Sequence, residues 1–471
     1  SKEERKKYNE LLLKKFENIK TDNNSNRFLE ILEILKSTGK ETIPQIHAKR
    51  DEKGISDHLY KLITDRGYYL WEGNLDKVKS IDKEIQKRKR YEKREYHKTI
   101  TEKELDVRDR YLGISKIKTA HQPVTYFFRD GNKNIGTEER AEFAANHLES
   151  KQWGQQGEKE VRSTKKVINE DLNFNTGIIE LKEVRKYLRN AKRRKAPGPD
   201  EIPLEFFKEL NNENLQLIID EMNKWWNEEE EIPTELLKAR IFLLFKKGST
   251  KNVEHYRPIS LLNTITKIFA HILKNRIAEK IDDKLHKTQY GFRKNKSTSH
   301  ALLIVRRLID MGERKKSDTR KIRNNPIYLL FLDWEKAFDK IDQKGLFEAM
   351  ERMNIDDKLI RLTKQLYKKA DFFVEMDNKK SKWKTQSTGI RQGCTLSPYL
   401  FLIVMTVIFA DVHADAELRQ ETKNNRPPGM QNDEVLYADD TIIFSTDNIT
   451  IEKLLHKIEN CARPYGLKLN H

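Results

Sequence analysis

The 471-residue chain sets 92 Lys and Arg against 74 Asp and Glu, a net charge of +18 and a pI near 9.4 that favour a polyanionic partner. Charged residues make up 35% and mean hydropathy is −0.83, yet 20 Phe, 16 Tyr and 6 Trp supply the rings of a folded core and argue against disorder. Two cysteines, Cys394 and Cys461, give no ligand set for a disulfide framework, a Cys-rich zinc site or an iron–sulfur cluster, and fit a reducing compartment.

The chain starts at Ser1 in a basic, polar stretch with no apolar h-region, so no secretion signal is expected. The missing Met and the abrupt end in LKLNH predict a fragment of a longer product. Up to about Gln152, Leu and Ile recur at three-to-four-residue spacing among Lys, Arg and Glu, as in YNELLLKKFENIK and FLEILEILK, which predicts amphipathic helices. Eight Lys or Arg residues lie between Lys83 and Lys98 with Tyr91 and Tyr96 interleaved. This is either a solvated helix face or a surface for RNA or DNA phosphates. The DGN of Phe127–Asn134 predicts a turn, and Gly154–Lys166 a linker.

Leu181–Lys195 predicts a further helix, ending in Arg185, Lys186, Arg189, Lys192, Arg193, Arg194 and Lys195 with no acid among them. APGPD then breaks it. Pro197, Gly198 and Pro199 make a stiff loop beside that basic end, suited to tracking a phosphate backbone, with a plain surface turn as the alternative.

From Ala239 onward strands are predicted in IFLLF, IYLLFLD, FFVEM, KSKWKTQ, EVLY and TIIFS, with helices between them and a hairpin around DNKK. The class is α+β with an antiparallel sheet. Tyr399–Ala410 is the longest apolar run and stops at Asp411, too short for a membrane span, so it predicts a buried helix and no membrane partner.

The strand IYLLFLD ends in Asp333, and EVLY runs into Ala438, Asp439 and Asp440 before TIIFS. Such an oxygen-rich cluster repels itself unless divalent cations neutralise it. Two-metal phosphoryl transfer needs this arrangement: one Mg2+ to activate a 3'-hydroxyl, a second to stabilise leaving pyrophosphate, with Asp333 and Asp439 as the natural bridging ligands. YADD alone is a common string; its order relative to FLDWEKAFD and RQGCTLSP gives it weight.

Taken together, KAPGPDEIP, HYRPISLLN, QYGFRKNKSTSHA, FLDWEKAFDKID, GIRQGCTLSPYLF and YADD resemble, in order and spacing, the reverse transcriptase of non-LTR (LINE-type) retrotransposons, over about Leu181–Asn470. The resemblance implies a right-hand polymerase with fingers and palm and a mostly helical N-terminal extension. Its divisions would be 1–165 (basic extension), 166–330 (fingers with the start of the palm) and 331–471 (palm). The reverse transcriptase domain itself would run from about 225 to 471, cut short at its C-terminus. It further implies an RNA-directed DNA polymerase copying template RNA from a primer DNA 3'-hydroxyl with dNTPs and two Mg2+ ions, for which Mn2+ can substitute. Synthesis would be nuclear, after a cytoplasmic RNA–protein particle stage.

Residue by residue, the resemblance puts Asp333, Asp439 and Asp440 at the metals and Phe338 at the steric gate that excludes a ribose 2'-hydroxyl. Core packing is the plain alternative for Phe338. Arg257 matches the arginine reaching the incoming nucleotide, and Lys246 or Lys247 contacts its triphosphate. Gln392 and Gly393 match the Gln-Gly pair beside the nucleotide; the same segment also starts the apolar helix at Ser397 and Pro398. Phe292 and Arg293 resemble the fingers segment along template and nucleotide. Arg193, Arg194, Lys195, Pro197 and Gly198 are the expected nucleic-acid contacts upstream.

Glu201 stands where the family usually has Gly. The lysine of the family's next motif, the helical thumb, the endonuclease domain and any Cys/His knuckle do not occur in this sequence. A maturase related to group II intron reverse transcriptases, and a decayed element that only binds RNA, are the alternative readings.

Overall fold

The computed structural model describes residues 2–19, 27–43, 74–102, 128–131, 133–154, 161–317 and 326–470, with isolated positions between 56 and 69. It divides into two compact units, Pro44–Thr125 and a larger one combining Ser1–Ile43 with Tyr126–His471. The expected turn around DGN and the linker 154–166 each lie partly outside the described residues.

In the smaller unit the helix Leu75–Glu102 starts where the Asn74 side chain accepts the Lys77 amide at 3.2 Å. Its Ile81 and Ile85 pack with Leu59 and Leu62 into a core of its own. Lys83, Lys87, Lys89, Arg90 and Arg94 of the basic run are exposed. The side chains of Tyr96 and Lys98 lie outside the described residues.

In the larger unit the break expected at 165 is not a structural boundary. The helices Lys2–Glu17 and Arg27–Thr42 pack onto the helices Leu204–Lys208 and Asn212–Trp226. Phe28 meets Trp225 edge-on at 4.6 Å, and the Tyr8 hydroxyl donates to the Phe206 carbonyl at 3.3 Å. The second of these helices presses Gly39 against the ring of Phe206, where any Cβ would collide.

Strands are β1 Phe128–Asp130, β2 Lys133–Ile135, β3 Ala239–Phe245, β4 Tyr256–Leu262, β5 Tyr328–Leu332, β6 Asp371–Met376, β7 Lys379–Lys380, β8 Lys384–Thr385, β9 Glu434–Tyr437 and β10 Asp440–Ser445. They form a hairpin β1–β2, a sheet ordered β5–β10–β9, and a sheet ordered β4–β3–β6–β7 with β8 also on β6. All pairs are antiparallel except β3 with β6, which is parallel and corrects the all-antiparallel expectation. Local turn signals such as DNKK reveal hairpins, whereas β3 and β6 meet across a long crossover that no local pattern announces. β4 escaped the strand reading because Pro258 interrupts it. The structure tolerates that proline on the edge strand of its sheet.

The helix expected over Leu181–Lys195 ends at Asn190. Ala191 turns extended (ψ 132°), Arg194 adopts a left-handed φ of 59°, and its amide is taken by the Glu205 carboxylate at 2.6 Å. Lys192–Lys195 therefore lie in a loop, while Arg185, Lys186 and Arg189 stay on the helix.

The helix Ser397–His413 is buried all round, with Pro398 in its first turn. It is the axis of the core, packed by the helices Gln343–Arg352 and Asn448–Ala462. Among the described residues no single helix is long and apolar enough to cross a membrane.

Candidate active site

The β10–β5 register sets Thr441 opposite Leu332, so one step further Asp440 faces Asp333 at the same sheet end. Asp440 also pairs with Tyr437, leaving Ala438 and Asp439 as a two-residue hairpin turn. The third carboxylate thus sits at the tip beside the other two.

That turn carries strain, because Ala438 has φ 58°, where a Cβ is unfavourable. The side-chain amide of Gln289 offsets it. Gln289 Oε1 accepts the Ala438 amide at 2.8 Å, and its Nε2 donates to the Ala438 carbonyl at 3.2 Å. Gly291 lies against the Ala438 main chain with no space for a Cβ. On the other side, the Trp334 indole donates to Thr441 Oγ1 at 3.2 Å, and Asn470 donates its amide to the Asp333 carbonyl (2.8 Å) and its Nδ2 to Asp333 Oδ2 (3.2 Å).

Burial, then the charges of Asp439 and Asp333, push the Asp440 carboxyl above its usual range, while Lys246 pulls it down. This mutual repulsion fits a site for divalent cations, with Asp333, Asp439 and Asp440 as the carboxylates to hold them. Among the described residues no group of three such ligands already converges on one ion position. Both candidate lysines are exposed, and Lys246 is the one whose charge acts on Asp440. Arg257 is exposed on β4 opposite Leu244.

Phe338 is half-buried, stacked on Phe401 at 4.9 Å and 10°, and edge-on to Phe292 at 6.3 Å. The stack on Phe401 is the core-packing contact expected as the plain alternative. Phe292 is 53% exposed with φ 56°. Gln392 Nε2 donates to Asp339 at 2.8 Å, its carbonyl accepts the Ser260 amide at 2.6 Å, and a Cβ on Gly393 (φ 117°) would lie 2.5 Å from the Ser260 carbonyl. The Gln-Gly pair is thereby fastened to β4.

Arg293 departs from expectation. Its guanidinium is turned inward onto the carbonyls of Asp282 and His286 and the Asp282 carboxylate, so it braces the end of the helix Thr264–Ile281 and offers little to a phosphate. Pro197 is half-buried, its carbonyl accepting from Arg240 at 3.0 Å, and Gly198 is buried against Asn263, so both are engaged in packing and not a free phosphate track. Arg193 pairs with Glu209 at 2.9 Å; it, Arg194 and Lys195 keep exposed side chains.

Sequence reasoning missed Gln289, Asn470 and Asp339. Asp339 is buried to 3% exposure, and its carboxyl is raised to about 6 by burial, against the hydrogen bonds of Trp153 and Gln152. An acid inside AFDKID, in a stretch otherwise built to pack, was the available signal.

Residues 245–471 match the family model described as reverse transcriptase (RNA-dependent DNA polymerase). The chain is 25% identical over 295 residues to the transposon TX1 uncharacterized 149 kDa protein of Xenopus laevis, covering 62% of this chain and 21% of that one. It is 25% identical over 239 residues to the Pol polyprotein of the type-1 retrotransposable element R2 of Nasonia vitripennis, covering 50% and 22%. To the RNA-directed DNA polymerase of mobile element jockey of Drosophila melanogaster it is 25% identical over 305 residues, covering 62% and 31%. The chain thus spans about a fifth to a third of the curated relatives it matches. An apo telomerase of Candida tropicalis truncated from its C-terminal domain aligns at 15% identity over 53% of this chain and 52% of that one, with a TM-score of 0.35, too low to argue from. Residues 245–471 thus carry a reverse transcriptase domain, and the relatives of the chain are named for transposable elements.

Proposed function

We propose that this chain is an RNA-directed DNA polymerase that copies template RNA into cDNA from a primer DNA 3'-hydroxyl, with dNTPs as substrates and two Mg2+ ions. The observation that carries the reading is the meeting of Asp333, Asp439 and Asp440 at one sheet end, with the opposing charge of Lys246 beside them. In this reading β5, β9 and β10 are the palm, and β3, β4 and the 289–293 segment are the fingers.

Bound Mg2+, or Mn2+ in its place, would supply activation of the primer hydroxyl and stabilisation of pyrophosphate. The protein's own groups do the rest. Asp333 and Asp439 would hold the ions, with Asp440 completing the negative cluster. Lys246 and Arg257 offer positive charge to the triphosphate, Phe338 turns its free face to the sugar, and Gln392 flanks the nucleotide. Asn470 and Gln289 hold the two carboxylate-bearing segments still. Nuclear synthesis after a cytoplasmic RNA–protein stage belongs to the same reading.

Primer extension on a defined RNA template with Mg2+ and dNTPs, comparing the chain with Asp439→Ala, tests it. Incorporation by the parent alone is the expected result. Extension by both proteins, or by neither while both are folded, removes the assignment.

A further inference from the structure

Asp339 is a buried carboxylate surrounded by donors. Its Oδ2 accepts from Gln152 Nε2 at 3.0 Å and from Gln392 Nε2 at 2.8 Å, and its Oδ1 accepts the Trp153 indole N–H at 2.9 Å. Gln152 closes the π-helical turn Leu148–Gln152, upstream of the matched family region, and Trp153 follows it. The main chain around Asp339 is equally fixed: Ile390 N–H donates to the Phe338 carbonyl and Gly389 N–H to the Ile341 carbonyl, both at 2.7 Å. Gly389 needs its φ of 78°, and a Cβ there would lie 2.5 Å from the Asp339 carbonyl oxygen.

We infer that Asp339 is a positioning residue for nucleotide binding: by accepting Gln392 Nε2 it fixes which end of the Gln392 amide is left to face the dNTP. The inference rests on the polymerase reading. A glutamine amide has a donor end and an acceptor end of nearly equal shape, and its neighbours alone decide which is presented. An ionised carboxylate only accepts, so the amino end of Gln392 is drawn inward and the carbonyl end is left outward. The same carboxylate also accepts from Gln152 and Trp153, which lie outside the matched domain, and so ties their segment to the one that carries Asp339. Asparagine at this position has the size of aspartate but brings an NH2 group into a shell of three donors. Rotating the Gln392 amide relieves that clash and presents the wrong polarity to the nucleotide.

The test is dNTP affinity for a complex of the full chain, primer DNA and template RNA in Ca2+, where binding is read without turnover. Asp339→Asn is expected to weaken dNTP binding about tenfold, the scale of one hydrogen bond to a charged group. In a Gln392→Ala background the same substitution should have no further effect, because its action runs through that amide. Trp153→Phe, which removes a donor remote from Gln392, should lower Tm while keeping affinity within about twofold. Should Asp339→Asn fail to fold, Asp339→Glu keeps the acceptor, displaces its oxygens and makes the same cycle. Additive effects of the Asp339 and Gln392 substitutions, or unchanged affinity in the folded Asp339 variant, overturn the inference alone. A parent complex with no saturable dNTP binding overturns the polymerase reading together with it.

Discussion

Gln289 grips Ala438 by both main-chain ends, its Oε1 taking the amide at 2.8 Å and its Nε2 giving to the carbonyl at 3.2 Å. One buried side chain thereby does the work that a glycine would otherwise do for the Ala438–Asp439 turn. Gln289→Leu leaves both Ala438 groups unpaired, at a cost of about 2–4 kcal/mol. The turn should relax, and incorporation should fall at least about tenfold as the carboxylates move apart. Urea unfolding and primer extension measure the two losses; a variant that loses stability but keeps full activity would detach the clamp from catalysis.

Asp333, Asp439 and Asp440 repel one another, so they are a stability cost that cations relieve. Millimolar Mg2+ should raise the Tm of the parent, and the rise should disappear in Asp439→Asn. That variant should also be at least as stable as the parent without Mg2+, since one member of the repelling set is gone. Thermal melts with Mg2+ and with EDTA read both effects, and RNA binding should stay within about twofold.

Phe338 has one face stacked on Phe401. Phe338→Ala should therefore cost about 2–4 kcal/mol, at the lower end because the ring is half-buried. Its ratio of ribonucleotide to deoxynucleotide incorporation should rise at the same time. Unaltered sugar discrimination in an active variant would leave Phe338 as a packing residue alone.

Glu201, directly after APGPD, holds φ 60°, with Lys36 and Lys40 near its carboxylate at 3.4 and 3.9 Å. Glycine there relieves about 1 kcal/mol of left-handed strain, while the loss of two ion pairs at the surface costs about 0–1 kcal/mol. Glu201→Gly should be neutral or slightly stabilising, and Glu201→Val clearly destabilising. Chemical denaturation of both variants orders them; a stable valine variant would contradict the strain.

At the start of β9, Glu434 is buried between His286 at 2.8 Å and His413 at 3.4 Å. Burial pushes the Glu434 carboxyl up, but the hydrogen bonds of the two histidines outweigh it and hold it well below the usual carboxylate range. Burial likewise pushes His413 down, and Glu434 more than reverses it, so His413 lies above 6.5. The depressed Glu434 contributes stability above its ordinary value of 4.5 and loses it as pH falls towards its lowered value; the raised His413 contributes below 6.5 and loses it as pH rises through its raised value. Tm should thus be best supported between about pH 4.5 and 6.5. His413→Gln should flatten the fall on the alkaline side; an unchanged profile would exclude this pair as its source.

Much of the site was legible in the chain itself. Asp333, Asp439 and Asp440 follow strands whose apolar runs announce them, and the apolar stretch from Tyr399 predicted a buried helix that the structure places at the core. The motifs around Phe338 and Gln392 likewise marked segments that the fold brings side by side. Arg293, Pro197 and Gly198 were assigned outward roles from residue type, and each is spent on packing or inward hydrogen bonds. Residue type tells what a side chain can bond to, but not which partner is nearer.

Local periodicity, turn residues and charge are properties of neighbours along the chain, and these determined most of the strands and helices and the acidic turn, though not β4. The parallel pairing of β3 with β6, the clamp of Gln289 on Ala438 and the meeting of Gln152, Trp153 and Gln392 on Asp339 join residues more than a hundred positions apart, save that Gln392 lies 53 from Asp339. Only tertiary structure decided them, because such contacts form where buried polar groups must find partners after the core has closed, and no local pattern encodes that choice.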